Sequence, residues 1–176
     1  MNIWESYRLR VARRRWRIRA LRKSKELKSL SNNTANIVRN DVLVFSTFRN
    51  EFPRLPYFLK YYRNLGVKHF IMVDNGSDDG GTQYLQDQPD VSLWYTESSY
   101  LSARFGVDWM NHLLSIYGHG HWTLNVDPDE LFVYPFCDTR PIGALADWLD
   151  GTGVRSFGTM LLDMYPQGPI LTRCIG

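Results

Sequence analysis

The segments VLVFSTFRNE (42–51), FIMVDNGSDDG (70–80) and TLNVDPDE (123–130) decide the fold. Each begins as a short apolar run, typical of a buried strand, and ends in polar or acidic residues. Helical stretches separate these runs, and strands that alternate with helices predict β-α units with a mainly parallel sheet. The sequence therefore predicts a Rossmann-like α/β domain whose sheet is flanked by helices.

The same pattern gives the bounds of the predicted elements. Strands are predicted at 42–46, 69–73, 91–95 and 122–126, and helices at 57–64, 82–86 and 102–117. Gly66 follows the first helix at a position that favours a left-handed C-terminal cap. In open α/β sheets ligands bind at the carboxyl ends of the strands. The acidic loops that begin at Asp74 and Asp127 are therefore expected to lie near one crevice.

Asp127 and Asp129 form an Asp-x-Asp motif directly after the fourth predicted strand. Alternate residues of an extended segment point the same way, so both carboxylates can face one divalent cation. Hard oxygen ligands favour Mg²⁺ or Mn²⁺ over zinc. A solvated acidic turn is the alternative, because Asp-x-Asp is common by chance. The position at the end of an apolar strand favours the metal site.

Four segments in the same order resemble glycosyltransferase family 2 and its inverting GT-A relatives. They are VLVFST with Arg49-Asn50-Glu51, VDNGSDDG at 73–80, ARFG at 103–106 and NVDPDELF at 125–132. The resemblance spans most of residues 41–134. It implies a GT-A fold and metal-assisted transfer of a sugar from a nucleoside-diphosphate donor, in polysaccharide or glycoconjugate synthesis. The acceptor, whether glycan, lipid or protein, does not follow from the sequence.

The resemblance also implies roles for residues near the first two strands. Thr47, Arg49 and Glu51 correspond to the loop that edges the nucleobase. Asp74 corresponds to the acid at a strand end that hydrogen-bonds the base or the ribose. A turn and a helix start are the alternative roles for these positions.

Further roles follow for the later segments. Arg104 corresponds to a basic residue that approaches the diphosphate, and a guanidinium suits phosphate because it forms paired hydrogen bonds. A surface charge on a helix is the alternative. Asp127 corresponds to the acid that bridges ribose or metal, and Asp129 to the direct metal ligand. Glu130 extends the motif, either facing the acceptor or capping the loop.

The catalytic base is not recognised in the sequence. In the family this carboxylate lies well beyond the Asp-x-Asp motif, whereas 47 residues follow Asp129 here. The resemblance therefore implies an incomplete C-terminal part and a chain that binds donor without turnover. If the chain is active, the base is expected among Glu130, Asp138, Asp147, Asp150 and Asp163.

Two other functions are kept as alternatives. A protein that binds nucleotide sugar without catalysis would use the same carboxylates. A nucleotidyltransferase would need a glycine-rich basic loop after the first strand, which residues 47–56 lack. Neither GxGxxG nor GxxxxGK[ST] occurs, so a dinucleotide-binding or P-loop enzyme is disfavoured. His119-Gly120-His121 is read as a turn and not as a metal site.

The charge distribution separates a basic arm from an acidic domain. Residues 1–30 carry a net charge of +9, whereas residues 31–176 carry −6. Apolar residues recur near the helical period in this arm, at Ile3, Tyr7, Val11, Ile18 and Leu21. The pattern predicts a basic amphipathic helix (1–30), a polar linker (31–40) and an incomplete nucleotide-sugar-binding domain (41–176).

This arm is expected to meet an anionic membrane surface in preference to nucleic acid. A solvated basic tail is the alternative. The sequence has no apolar run of membrane-spanning length and no signal peptide. Cys137 and Cys174 do not form a disulfide framework. Together these features predict a cytoplasmic protein that is peripheral on the inner face of a membrane.

Overall fold

The structure is a computed structural model that describes residues 3–163. Its strands are β1 (Lys28–Ser31), β2 (Val42–Phe48), β3 (His69–Asp74), β4 (Val91–Tyr95) and β5 (Trp122–Asn125). Its helices are α1 (Ile3–Lys23), α2 (Leu55–Leu65), α3 (Gly81–Gln86), α4 (Val107–Tyr117) and α5 (Ile142–Gly151). The strands form one mixed sheet in the order β1-β4-β3-β2-β5. The predicted α/β class is confirmed.

The sheet is parallel except at one edge. β2 pairs in parallel with both β3 and β5, and β3 pairs in parallel with β4. The carboxyl ends of β2, β3 and β5 therefore lie along the same edge of the sheet. In this register Phe48 is opposite Asp74. The Val126 amide donates to the Phe45 carbonyl at 3.2 Å, which continues the pairing just past β5. This edge collects the loops that the sequence marks as functional.

Alternating residues of the strands fill two hydrophobic layers. Val44 and Met72 belong to the layer beneath α2 and α5. Phe45 belongs to the opposite layer, where Trp109 of α4 is fully buried. Each large apolar side chain buried in this way stabilises the fold by about 1.5–3 kcal/mol. The central strands are thus held on both faces, as a parallel sheet requires.

The helix predicted at 102–117 begins later, at Val107. Arg104, Phe105 and Gly106 have φ angles of +53°, +57° and +77°. A right-handed helix requires φ near −63°, so these three residues form a left-handed turn ahead of α4. Residues 98–106 are consequently a loop ahead of α4.

The N-terminal segment also differs from the prediction. The expected helix is present as α1 but ends at Lys23, and β1 then pairs antiparallel with β4. Inside the predicted linker, the Asn33 backbone amide donates to Ser92 Oγ at 2.9 Å, and Asn33 Nδ2 donates to the Val91 carbonyl at 2.9 Å. These bonds hold the segment on the sheet, where it covers an otherwise open edge of β4.

The remaining elements follow the prediction closely, with one omission. α2 is followed by Gly66, whose φ of +97° confirms the predicted left-handed cap. α5 was not predicted, although its buried residues Ile142, Ala146 and Leu149 have helical spacing. Among residues 3–163 no helix is both long and apolar enough to cross a membrane. Cys174 lies outside the described residues.

Candidate nucleotide and metal site

A cavity of about 350 Å³ opens at the carboxyl edge of the parallel strands. Loops after β2, β3 and β5 form its walls together with the loop before α4. The lining consists of Thr47, Phe48, Arg49, Glu51, Asn75, Tyr100, Asp127, Pro128 and Asp129. The structure therefore brings five of the predicted site residues together at one opening, namely Thr47, Arg49, Glu51, Asp127 and Asp129.

A second cavity of about 270 Å³ adjoins the first. The two share Thr47, Tyr100 and Asp127 as lining residues. Apolar side chains on and before α4 contribute much of the second wall, and Asn111, Asn125 and Glu130 add polar groups. Asp127 thus lies where a polar cavity meets a more apolar one. This arrangement suits a ligand with two chemically different parts.

Two residues that line the second cavity have buried hydroxyl groups without a partner. Ser46 Oγ and Thr47 Oγ1 make no hydrogen bond to any other described residue. An unpaired buried hydroxyl costs about 1–3 kcal/mol. Both oxygens are almost fully shielded, so they lie behind the cavity wall and not at its surface.

The loop before α4 packs closely on this lining. Gly106 has a left-handed conformation, and a Cβ there would lie 3.0 Å from Tyr100 Cε2 and 3.2 Å from Thr47 Oγ1. Both neighbours line the two cavities. Glycine adopts this positive φ without strain and has no Cβ that would displace Tyr100 or Thr47.

Hydrogen bonds fix the segment that carries the Asp-x-Asp motif. The Asp127 amide donates to Glu130 Oε2 at 3.0 Å, and the Glu130 amide donates to the Asp127 carbonyl at 3.0 Å. The Tyr62 hydroxyl of α2 donates to the Glu130 carbonyl and accepts from the Phe132 amide, each at 3.0 Å. Burial raises the pKa of Tyr62 to about 12, so its hydroxyl stays protonated and can donate. Tyr62 was missed in the sequence, because nothing local links α2 to this turn.

Negative charge accumulates around Asp127. Surrounding protein lowers the dielectric at this carboxyl and raises its pKa, and repulsion from Glu130, Asp129 and Glu51 raises it further. Glu51 is paired with Arg54. A divalent cation would relieve the repulsion and favour the ionised carboxylates.

The donor set fits a cation that shares its ligands with a nucleotide. Asp127 and Asp129 contribute carboxylate oxygens at the wall of the same cavity. In the described part of the chain, no three His, Cys, Asp or Glu side chains form a group that could hold a metal. Mg²⁺ commonly binds one or two carboxylates and completes its shell with water and substrate phosphates. The residues present suit that mode and not an all-protein cage.

Asp74 does not line either cavity. It is fully buried, and its carboxylate accepts the Ser77 amide at 2.8 Å and the Thr82 hydroxyl. The resemblance assigns Asp74 to the base or the ribose, but here the loop folds back over its carboxylate and shields it from both cavities. Its neighbour Asn75 lines the polar cavity and donates its side-chain amide to the Ser98 carbonyl at 2.9 Å. Asp74 organises the loop that presents Asn75.

Arg104 also lies outside the lining of both cavities. Its guanidinium bonds Asp108, with Nε at 2.9 Å, and lies 4.1 Å from the centroid of the Trp16 ring. Asp108 is held a second time by Arg19 at 2.6 Å. In this conformation Arg104 joins α1 to α4, while the arginine at the cavity wall is Arg49.

The other acidic and imidazole candidates are distributed over the surface. The His119–His121 segment is a turn in which His121 Nδ1 is 3.1 Å from the Asp41 carbonyl. The carboxylate of Asp150 accepts the Trp122 indole N–H at 3.0 Å. Three further base candidates, Asp138, Asp147 and Asp163, are exposed. Among the five candidates, Glu130 is the one that shares a cavity lining with Asp127.

No protein-family model matches the sequence, and no curated protein matches it significantly.

Proposed function

We propose that this protein is a metal-dependent glycosyltransferase of the GT-A type. It binds a nucleoside-diphosphate sugar in the paired cavities and transfers the sugar to an acceptor hydroxyl. One observation carries the proposal: the Asp-x-Asp motif meets Thr47, Arg49 and Glu51 at the carboxyl edge of the parallel strands. This edge is the usual ligand position in open α/β sheets.

The lining chemistry suggests how the donor is divided between the cavities. The polar cavity, with Thr47, Arg49 and Asn75, takes the nucleoside. The second cavity takes the sugar, whose hydroxyls find the side-chain amides of Asn111 and Asn125. The diphosphate then lies at the junction, beside Asp127. Asp74 acts indirectly, by shaping the loop that carries Asn75.

Transfer forms a bond between the acceptor oxygen and the anomeric carbon and breaks the bond from that carbon to the diphosphate. Negative charge therefore grows on the leaving diphosphate, and a bound Mg²⁺ or Mn²⁺ supplies stabilisation there. Asp127 and Asp129 would hold the cation, and the hydrogen bonds of Tyr62 keep their segment in place. Glu130 is our candidate for the base, because it lines the cavity assigned to the sugar.

Nucleotide-sugar binding without transfer is the second candidate. One observation favours it: the Arg104 guanidinium bonds Asp108 and packs on Trp16. In this conformation it does not contact the position proposed for the diphosphate. A nucleotidyltransferase has weaker support, because the loop after β2 lacks a glycine-rich basic segment. We place the function in the cytoplasm, where the Cys137 thiol stays reduced.

Calorimetry of the 176-residue chain tests the donor site. Nucleoside diphosphates and a panel of their sugars are titrated with and without Mn²⁺. We expect metal-dependent binding that Asp129→Asn removes and that Asp163→Asn, at an exposed acid away from both cavities, leaves unchanged. Equal affinity with and without the cation would reject the Asp-x-Asp assignment.

A second measurement separates the two candidates. Release of nucleoside diphosphate from the bound donor is followed with acceptor mixtures present and absent. Turnover that Glu130→Gln abolishes, with donor affinity retained, supports the transferase. Tight metal-dependent binding with no turnover supports the binding protein.

A further inference from the structure

Helix α1 has an inner face that is docked on the domain. Ala20 is 5% exposed, and Arg19 bonds Asp108 at 2.6 Å and the Ser102 carbonyl at 2.9 Å. Trp16 lies under the Arg104 guanidinium. From Trp16 onward the helix is therefore packed against α4 and the loop before it, and these contacts define which side of α1 faces the domain.

The outer face of α1 is an apolar stripe on the side away from these contacts. Trp4, Tyr7, Ile18 and Leu21 are 73%, 61%, 41% and 60% exposed, and Val11, on the same side, is half-buried. At 3.6 residues per turn these five positions fall within an arc of roughly 100°, on the opposite side from Trp16 and Ala20. Large apolar groups aligned in this way are characteristic of a surface that is covered by a partner.

Arginines border this stripe on both sides. By the same helical geometry, Arg8 and Arg15 lie along one flank, Arg10 and Arg17 along the other, and Arg14 and Arg22 within the stripe. Each of these six side chains is exposed. Long arginine stems can lie along an apolar surface while their guanidinium groups reach phosphate at its edge. An apolar band between rows of cations matches the boundary between acyl chains and anionic headgroups.

We propose that the outer face of α1 docks on an anionic lipid bilayer, with the helix lying in the plane of the headgroups. Nucleic acid would engage the arginines but leave Trp4, Tyr7, Ile18 and Leu21 in water. The inner face ties α1 to the loop before α4, and this loop contributes Tyr100 and Phe105 to the cavities. Docking therefore holds the cavities at a fixed height above the bilayer. The proposal does not depend on sugar transfer.

Vesicle binding by the full chain tests whether the arginines on the outer face of α1 contact anionic lipid. The variant Arg10→Gln/Arg14→Gln/Arg17→Gln removes three cations from the outer face, and Arg39→Gln/Lys60→Gln/Lys68→Gln removes three exposed cations elsewhere. Each cation near an anionic surface contributes about a fivefold factor, so the first variant, which lacks three, should bind phosphatidylserine vesicles roughly 100-fold more weakly. The second should bind like the parent chain. An equal loss of vesicle affinity in the two variants would show that binding depends on net charge alone and would overturn the proposal.

The apolar stripe is tested at high salt, where screening shortens electrostatic reach to about 3 Å. Tyr7→Ser/Ile18→Ser/Leu21→Ser should abolish the vesicle binding that survives there, with an unchanged circular-dichroism spectrum. Retention of that binding would contradict docking through the stripe. Binding to duplex DNA or RNA that exceeds vesicle binding and is indifferent to this variant would point to nucleic acid and overturn the proposal.

The depth of α1 in the bilayer is tested with brominated lipids, which quench the fluorescence of tryptophans that enter the acyl region. Trp4→Phe should remove most of the quenching seen in the parent chain. Trp148→Phe is the matched control, because Trp148 is 63% exposed on α5, beneath the opposite face of the sheet. Quenching that depends on Trp148 and not on Trp4 would show a different face toward the membrane and refute the assignment to α1.

Discussion

Asp108 and Asp127 are carboxylates near the same loop, but their neighbours differ in sign. Asp108 is fully buried and accepts bonds from Arg19 and Arg104. Burial alone would raise its pKa, but these two bonds and the attraction of the same arginines bring the pKa below its ordinary value. Asp127 lies at the cavity wall, and its pKa is raised by desolvation and then by repulsion from Glu130, Asp129 and Glu51.

The difference separates a carboxylate that serves the fold from one whose negative charge a bound cation would offset. The charge of Asp108 is satisfied by the protein, and it joins α1 to α4. Asp127 is exposed, its charge is opposed by the neighbouring carboxylates, and an added cation would offset this repulsion. Perturbed carboxylates in clefts are candidates for function, whereas ion-pair networks perturb carboxylates for structural reasons. The sign of the perturbation distinguishes the two here.

The largest effect is expected on stability when Asp108 is neutralised. Asp108→Asn leaves two arginines without their partner, and loss of one member of a buried pair costs about 3–5 kcal/mol. Arg19 is half exposed, so we expect a smaller loss, about 2–3 kcal/mol in the free energy of unfolding. Urea denaturation measures it, with exposed Asp147→Asn as the control. A loss equal to that of the control would remove the structural role of Asp108.

The same substitution at Asp127 should act on ligand binding instead. Asp127→Asn should weaken metal-dependent nucleotide binding by at least the roughly 10- to 100-fold that is typical for residues around a metal. Stability should stay the same or rise slightly, because a repelling charge is removed. Calorimetry with Mn²⁺ measures the nucleotide affinity, and urea denaturation of the same sample measures the free energy of unfolding. A clear loss of stability with unchanged affinity would make Asp127 resemble Asp108 and break the contrast.

Tyr62→Phe tests whether the Asp-x-Asp segment must be held in place. The ring still packs, but the Glu130 carbonyl and the Phe132 amide lose their partner, at a cost of about 1–3 kcal/mol. We expect Mn²⁺-dependent nucleotide affinity to fall while affinity without metal is unchanged. Tyr61→Phe is the matched control, because its hydroxyl makes one bond to the Phe132 carbonyl at 2.9 Å. A purely structural Tyr62 would lower stability without changing the metal dependence.

The sequence predicts the fold well where local pattern decides it, and the site less well where distant contacts decide it. The apolar runs of β2, β3 and β4 mark buried strands, and their order predicts the acidic loops at one edge. Asp74 and Asp127 look alike in sequence, since each follows an apolar strand. Only the return of Thr82 onto Asp74 separates them. Likewise, Arg104 is drawn from the cavities by Trp16 and Asp108, a contact that spans distant parts of the chain.

The smallest effect expected is a pH dependence of opposite sign at the two carboxylates. The folded-state pKa of Asp127 lies above its ordinary value of 3.8, so between these values the folded state binds more protons than the unfolded state. The free energy of unfolding contributed by Asp127 therefore falls as pH rises through this window. The folded-state pKa of Asp108 lies below 3.8, so its contribution is present above 3.8 and is lost as pH falls through its lowered pKa. Urea denaturation between about pH 2.5 and 6 for the parent chain, Asp127→Asn and Asp108→Asn measures how each carboxylate changes the free energy of unfolding with pH. The total change at each position amounts to about 1.4 kcal/mol per unit of pKa shift. Mn²⁺ with nucleotide should reverse the Asp127 slope, because the bound cation favours its ionised form. Slopes of the same sign at both positions would show that neighbouring charge does not distinguish these carboxylates.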